Sequence, residues 1–167
     1  MGKLRINIDR IESAGELEKI KHNSQIMKLD ETCNTYCYIS IANDFEIGVE
    51  YYNHGIDIEY KCTSNNKYIF WGIGIHLLCM NIYKKEVVFC KELGSVFLEL
   101  LSDLNNDYCV VICELDLYVY KNNNLLWKKG FKDIASDYEL VNNKYIRIVS
   151  CDGEETIYSM NDGSIIK

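Results

Sequence analysis

Eight cysteines and three histidines are the residues in this chain best suited to chemistry. A thiol nucleophile needs a base beside it and a third group to orient that base. His22 follows a predicted helix, His54 sits in a turn and His76 lies inside an apolar run, so none stands in a nucleophile's setting. Cys33-x3-Cys37 and Cys109-x3-Cys113 share a spacing of four. On a strand such residues lie on one face but about 13 Å apart, too far to hold one zinc. Asp152-Gly153-Glu154-Glu155 and Asn161-Asp162-Gly163 resemble fragments of calcium loops, yet neither has ligands at alternate positions or a closing glutamate. Asp-Gly is a strong turn signal, and hairpin turns are the plainer reading of both. Carboxylate pairs such as Glu46 with Glu50, or Glu114 with Asp116, have the residue types for glycoside hydrolysis, although a solvated strand face explains them as well. No catalytic residue, metal or cofactor is assigned, and the chain reads as a binding protein, not an enzyme.

Charge is the more informative chemistry. The net charge is −7: residues 1–91 carry 12 acids and 11 bases, and residues 92–167 carry 13 and 7. An acidic surface repels phosphate, so nucleic acid is excluded as a partner, and a basic protein is the natural counterpart. Glu114, Asp116, Asp133, Asp137, Glu139, Asp152, Glu154 and Glu155 are the candidate partner-binding residues. Tyr118, Tyr120, Trp127, Tyr138 and Tyr145 lie among them, either as interface anchors or as core.

A repeated phrase positions these residues. Asn105 to Lys129 reads NNDYCVVICELDLYVYKNNNLLWKK: a turn, an apolar strand from Tyr108 to Cys113, a second from Leu115 to Tyr120, another turn, then Leu125-Leu126-Trp127. Asn65-Asn66-Lys67-Tyr68 and Asn142-Asn143-Lys144-Tyr145 open two further copies. Each has a later tyrosine (Tyr83, Tyr120, Tyr158) and an apolar pair (Val87-Val88, Leu125-Leu126, Ile165-Ile166). A period near 40 residues with about four short strands resembles the blades of β-propellers over residues 55 to 167, without the Trp-Asp signature. Ordinary antiparallel hairpins with similar turns remain the alternative. The expected fold is all-β and mainly antiparallel, a partial propeller-like array of three to four blade-like sheets with one short helix. Three blades do not close a ring, so the ends of the array must be capped, bound by a partner or closed by a second copy.

The length suits a single domain over residues 1–167. Its parts are an N-terminal region at 1–62, including a degenerate opening blade from Tyr36 to Cys62, and repeats at 63–104, 105–141 and 142–167. Lys3 to Asp9 alternates as a strand. Ser13 and Glu16 form a capping box for a helix from Ala14 to about Lys21. Tyr36 to Ala42, Phe45 to Tyr52 and Ile56 to Cys62 read as strands, with Phe45, Ile47, Val49 and Tyr51 on the buried face of the second. Phe97 to Leu101 and Tyr138 to Val141 read as strands leading into the second and third turns. No apolar run is long enough to span a membrane and no secretory signal is seen. The cysteines, mostly within apolar runs, are expected to be reduced and buried in a cytoplasmic protein.

The acidic second half, the lack of a catalytic or export motif and the truncated propeller-like repeat together resemble the bacterial immunity proteins of toxin–immunity systems of the contact-dependent growth inhibition type. The resemblance implies a cognate basic toxin domain as partner. Nucleases are frequent among such toxins, tRNA-cleaving EndoU-type RNases being one class. It implies stoichiometric occlusion, with carboxylates standing in for RNA phosphates, by a protein that is a monomer or homodimer when free. A propeller-like interaction adaptor or self-closing homodimer without a toxin partner is the second reading. A glycan-binding β protein using Trp71 or Trp127 is the third.

Overall fold

Asparagine decides where these strands turn. Asn66, Asn122, Asn142 and Asn143 all take φ between 51° and 55°, a left-handed conformation that Asn tolerates better than most residues. The computed structural model describes residues 4–20, 25–41, 45–105 and 107–166. They fall in two compact units, Met1–Asp57 and Ile58–Lys167, where the sequence suggests one domain.

The first unit holds strands β1 (Ile6–Ile11), β2 (Gln25–Lys28), β3 (Thr35–Ile41) and β4 (Phe45–Tyr51), with helix α1 (Ala14–Ile20) after β1. Their order in the sheet is β1-β3-β4-β2. Alternation buries Cys37, Ile39 and Ile41 on β3, and Ile47, Val49 and Tyr51 on β4, as the period of two requires. Ser13 Oγ accepts the Glu16 N–H at 3.3 Å, half of the expected capping box. Gly48 makes room for the helix, since a Cβ there would stand 3.3 Å from Leu17 and 3.0 Å from Ile26. Lys3, Lys21, His22, Asn23-Ser24 and the Ala42-Asn43-Asp44 turn lie outside the described residues. The expected meander from Tyr36 to Cys62 is not formed. β4 instead pairs in parallel with β2, and the next strand leaves for another sheet.

The second unit carries the repeat. Its sheets are β5 (Glu59–Cys62), β6 (Tyr68–Ile73), β7 (His76–Asn81) and β8 (Glu86–Glu92); then β9 (Phe97–Ser102), β10 (Tyr108–Cys113), β11 (Asp116–Lys121) and β12 (Asn124–Gly130); then β13 (Ala135–Val141), β14 (Tyr145–Ser150) and β15 (Glu155–Ser159). Each is an antiparallel meander in sequence order, and the repeat frame begins one strand before the Asn turn. Thr63 Oγ1 closes the first turn by accepting the Tyr68 N–H at 3.1 Å, and Asp103 Oδ1 does the same for Tyr108 at 2.9 Å. Both caps are buried. The third turn is shorter, with the Lys144 N–H donating directly to Val141 O at 3.1 Å.

The apolar pairs mark a repeated β-bulge. Phe89 and Val87 face consecutive residues of β7, and Trp127 and Leu125 face consecutive residues of β11, leaving Val88 and Leu126 as the extra residues. Bulges at matching places increase the twist of each sheet. In the third sheet Ile165 forms a single bridge to Tyr158, at the place where Val87 meets Met80 and Leu125 meets Tyr120. Met80, not Tyr83, therefore corresponds to Tyr120 and Tyr158. Tyr83 is exposed in a turn, its hydroxyl donating to Asn65 O at 2.9 Å.

β10 is covered on both faces, as is β11 up to its last residue. On one side the Tyr120 ring lies 5.4 Å from Phe70 and 5.7 Å from Phe89. On the other, Val110, Ile112, Leu117 and Val119 pack with Ile146, Ile148, Tyr158 and Met160. Phe97 closes the first of these interfaces by lying on Gly72, where a Cβ would stand 2.2 Å from the ring. Neither residue is at the surface, so the ring has nowhere to move. Gly72→Ala is expected to cost about 1–3 kcal/mol, read from urea unfolding. An unchanged midpoint would show that this interface repacks freely.

Candidate interaction surface

Alternating strand direction sends the turns of the second unit to two ends. The Asn-rich turns share one end, and there they join neighbouring sheets. Ser64 donates to Asp107 Oδ1 at 3.0 Å, the Leu104 N–H to Asn143 Oδ1 at 3.2 Å, and the Tyr108 hydroxyl to Asn161 Oδ1 at 2.8 Å. The turns between second and third strands, together with the links from sheet to sheet, share the other end.

Four candidate carboxylates gather at that second end. Glu114 is in the β10–β11 turn, Asp133 in the link to β13, and Asp152 and Glu154 in the β14–β15 turn. Backbone hydrogen bonds tie these segments together: Glu114 N–H to Val96 O at 2.9 Å, Ala135 N–H to Glu114 O at 2.8 Å, and Cys151 N–H to Ile134 O at 2.9 Å. Asp133 Oδ1 accepts the Ile134 N–H at 2.8 Å and Asp152 Oδ1 the Glu154 N–H at 3.0 Å. Such bonds fix the turns and leave each carboxylate lone pairs for a partner. The arrangement suits recognition of fixed positive charge.

The other four candidates are placed differently. Asp116 is buried and does not belong to a surface. It accepts from Ser95 Oγ at 3.1 Å and pairs with Lys128 Nζ at 3.0 Å. Gly94 leaves it space, since a Cβ there would stand 2.3 Å from Oδ2. Lys128 also lies 4.8 Å from the centre of the Tyr118 ring. Hydrogen bonds to Tyr118 and Asp116 raise its pKa above the ordinary lysine value. Asp137, Glu139 and Glu155 lie on the outward face of the third sheet around Arg147, a residue that the charge count passes over. Arg147 donates from Nε to Glu155 at 2.8 Å, and from Nη1 to Asp137 at 2.9 Å and Glu139 at 3.4 Å. Bonding to Glu155 and Asp137 holds its guanidinium well above the usual range.

Of the aromatic residues, Tyr118 and Tyr120 are core, Tyr138 and Trp127 pack against the core of the second and third sheets, and Tyr145 shares the outward face with Arg147. Trp71 is fully buried, and Trp127 Nε1 donates to Met160 O at 3.0 Å, so neither indole is displayed for a sugar. The His54 ring lies 5.0 Å from that of Tyr52, tilted at 59°, and His76 is buried in β7. None of the eight cysteines is in a disulfide. Cys90 and Cys151 are exposed, so burial holds for fewer of them than the apolar runs suggest: Cys90 lies on an outer strand and Cys151 in a turn. Both calcium-like fragments are turns, with Gly153 at φ 85° and Gly163 at φ 69°. Among the described residues no cluster of three or more His, Cys, Asp or Glu side chains is placed to hold a metal, and no helix is long and apolar enough to cross a membrane.

No family model matches the chain, and no curated protein matches it in sequence. Solved structures do match. The β-propeller domain of Myceliophteria thermophila Cps50 (Swd1) is similar over 68 % of this chain and 38 % of its own, with a TM-score of 0.52 at 8 % identity. The N-terminal domain of Nup159 matches 64 % of this chain and 32 % of its own, with a TM-score of 0.48 at 11 % identity. Kluyveromyces lactis Hsv2 matches 65 % and 34 %, with a TM-score of 0.40 at 12 % identity. The chain thus spans about a third of the length of the structures it resembles. With the Cps50 (Swd1) likeness and the sheets described above, the fold is all-β with one short helix, a partial β-propeller-like array.

Proposed function

We propose that this chain binds a basic protein one-to-one through the acidic end of its blade array. We propose further that the partner is a toxin domain, which the chain neutralises as an immunity protein of the contact-dependent growth inhibition type. The observation that carries the binding reading is the gathering of Glu114, Asp133, Asp152 and Glu154 on turns joined by backbone hydrogen bonds. A rigid acidic surface gains affinity because little ordering is needed on binding, and charge complementarity speeds encounter. A nuclease is the fitting class of toxin. Its substrate cleft is built to hold phosphates, and spaced carboxylates offer the same charge without a scissile bond. An EndoU-type RNase that cleaves tRNA is one such target. The setting is the cytoplasm, where thiols stay reduced.

A self-closing homodimer is disfavoured where it would use the outward face of the third sheet. That face presents Arg147 with three carboxylates, as a terminal capping repeat does, and two copies would bring like charges together.

Affinity capture from the native organism at low salt, repeated at high salt, tests the proposal. The expected result is one basic toxin domain at equal stoichiometry, reduced by salt as screening predicts. Recovery of the bait alone would favour an adaptor or homodimer, and a salt-insensitive partner would remove the acidic end from the account.

A further inference from the structure

One cleft opens beside the acidic end, between the second and third sheets. It has a volume of about 270 Å³ and is lined in part by Phe131, Ile148, Thr156, Tyr158 and Ile165, with Glu154 and Lys132 also bordering it. The Phe131 and Tyr158 rings stand 6.4 Å apart at 37°. Ile148 and Tyr158 belong to the buried core, so the base of the cleft is fixed. The volume is below the roughly 300–1,000 Å³ of small-molecule sites and suits a single side chain. The cleft exists only when the link after β12 meets β14 and β15.

From this geometry we infer that the cleft is the anchor pocket for an arginine side chain of the partner, a reading that rests on the proposed binding of a basic protein. The chemistry favours arginine over lysine. An arginine stem is apolar and matches Ile148, Thr156 and Ile165. Its planar guanidinium stacks on aromatic rings, is weakly hydrated and forks onto a carboxylate, whereas an ammonium is a hydrated point charge. Glu154 supplies the carboxylate. Lys132 opposes a second cation and limits the affinity for an isolated arginine. Contacts with the rest of the partner must offset that repulsion, which ties the pocket to a protein ligand.

N-acetyl-arginine-amide, its lysine counterpart and its norleucine counterpart, titrated into the ¹⁵N-labelled full chain, test the inference. The arginine compound is expected to shift the amides of Ile148, Thr156 and Tyr158 saturably, the lysine compound to bind more weakly and norleucine most weakly. Glu154→Gln should weaken arginine by about tenfold, the weight of one charge-assisted pair, and Lys132→Met should strengthen it. Thr156→Trp, which fills the cleft from a strand position that accepts aromatic residues, should abolish binding. Equal binding of norleucine, or arginine shifts spread evenly over Glu114, Asp133 and Asp152, would overturn the pocket. So would a captured basic partner that binds Thr156→Trp as tightly as the unaltered chain, though that result would leave the acidic-end reading standing. Absence of both arginine binding and a basic partner would remove both readings.

Discussion

Titrated from pH 7 to 11, the protein should lose stability steeply and unfold. Burial raises the Cys62 thiol to about 11 and the Cys79 thiol to about 12, against an ordinary value of 9.0. Cys109 and Cys113 are pushed higher still, chiefly by burial, with Cys79 adding to the effect at Cys109 and Asp116 at Cys113. Cys37 is also raised, by burial first, with Arg10 opposing it. A folded-state pKa above the unfolded one means that the folded chain keeps a proton which the unfolded chain releases. The stabilisation is therefore complete below about pH 9 and falls as pH rises towards the folded values. Each fully buried thiol contributes a slope of up to about 1.4 kcal/mol per pH unit in that window, and half-buried Cys62 contributes less. Against a typical net stability of about 5–15 kcal/mol, several such slopes acting together suffice. Circular dichroism and thiolate absorbance should change together, and Cys79→Val should move the transition to higher pH. Thiols that ionise near pH 9 while the fold persists would show that these sites are open to water.

That the thiols pack between blades was partly legible in the sequence, because Cys109 and Cys113 lie in an unbroken apolar run, and β10 is buried from Cys109 to Cys113. The repeat was legible for a similar reason. Left-handed turn positions favour Asn, which holds four of the five non-glycine ones among the described residues, with Lys85 the fifth, and the bulges carry apolar pairs, so both leave marks on residue type. The first strand of each sheet leaves no shared mark, although Ile56 to Cys62, Phe97 to Leu101 and Tyr138 to Val141 each read as strands. β5, β9 and β13 read EYKC, FLELLS and ASDYELV, and only pairing makes them equivalent. The sequence frame at 63–104, 105–141 and 142–167 consequently starts one strand late. Charge counting has a parallel blindness: it finds carboxylates but not how each is used. Lys128 faces Tyr118 across β11 and β12, which brings its ammonium to Asp116. Arg147 faces Glu139 on β13 and draws in Asp137 and Glu155. These pairings are properties of strand register, set by bulges and turns elsewhere. The parallel neighbour of β4 was equally hidden, since a short strand placed beside a distant one carries no local signal.

Reversing the four carboxylates of the acidic end is expected to have the largest effect on function. Glu114→Lys, Asp133→Lys, Asp152→Lys and Glu154→Lys together take the net charge from −7 to +1. Association with a basic partner should slow by a factor on the order of 100 at low salt, and the difference should shrink at high salt. Dissociation should quicken as well if Glu154 anchors an arginine, because a desolvated charge pair acts on the off-rate. The informative control is Asp137→Lys with Glu139→Lys, which changes the net charge to −3. Those carboxylates are held by Arg147, so reversal replaces two attractions with repulsions and should lower stability slightly, as for any solvent-screened pair. Its effect on association should be small, because the outward face of the third sheet is not the proposed surface. If both variants slow binding in proportion to net charge alone, the partner is steered by the whole molecule and the acidic end has no special place. If neither slows it, the carboxylates serve solubility. A selective loss in the fourfold variant requires the geometry as well as the charge, since the two variants then differ in where the carboxylates stand: on turns tied together by backbone hydrogen bonds in one, around Arg147 in the other.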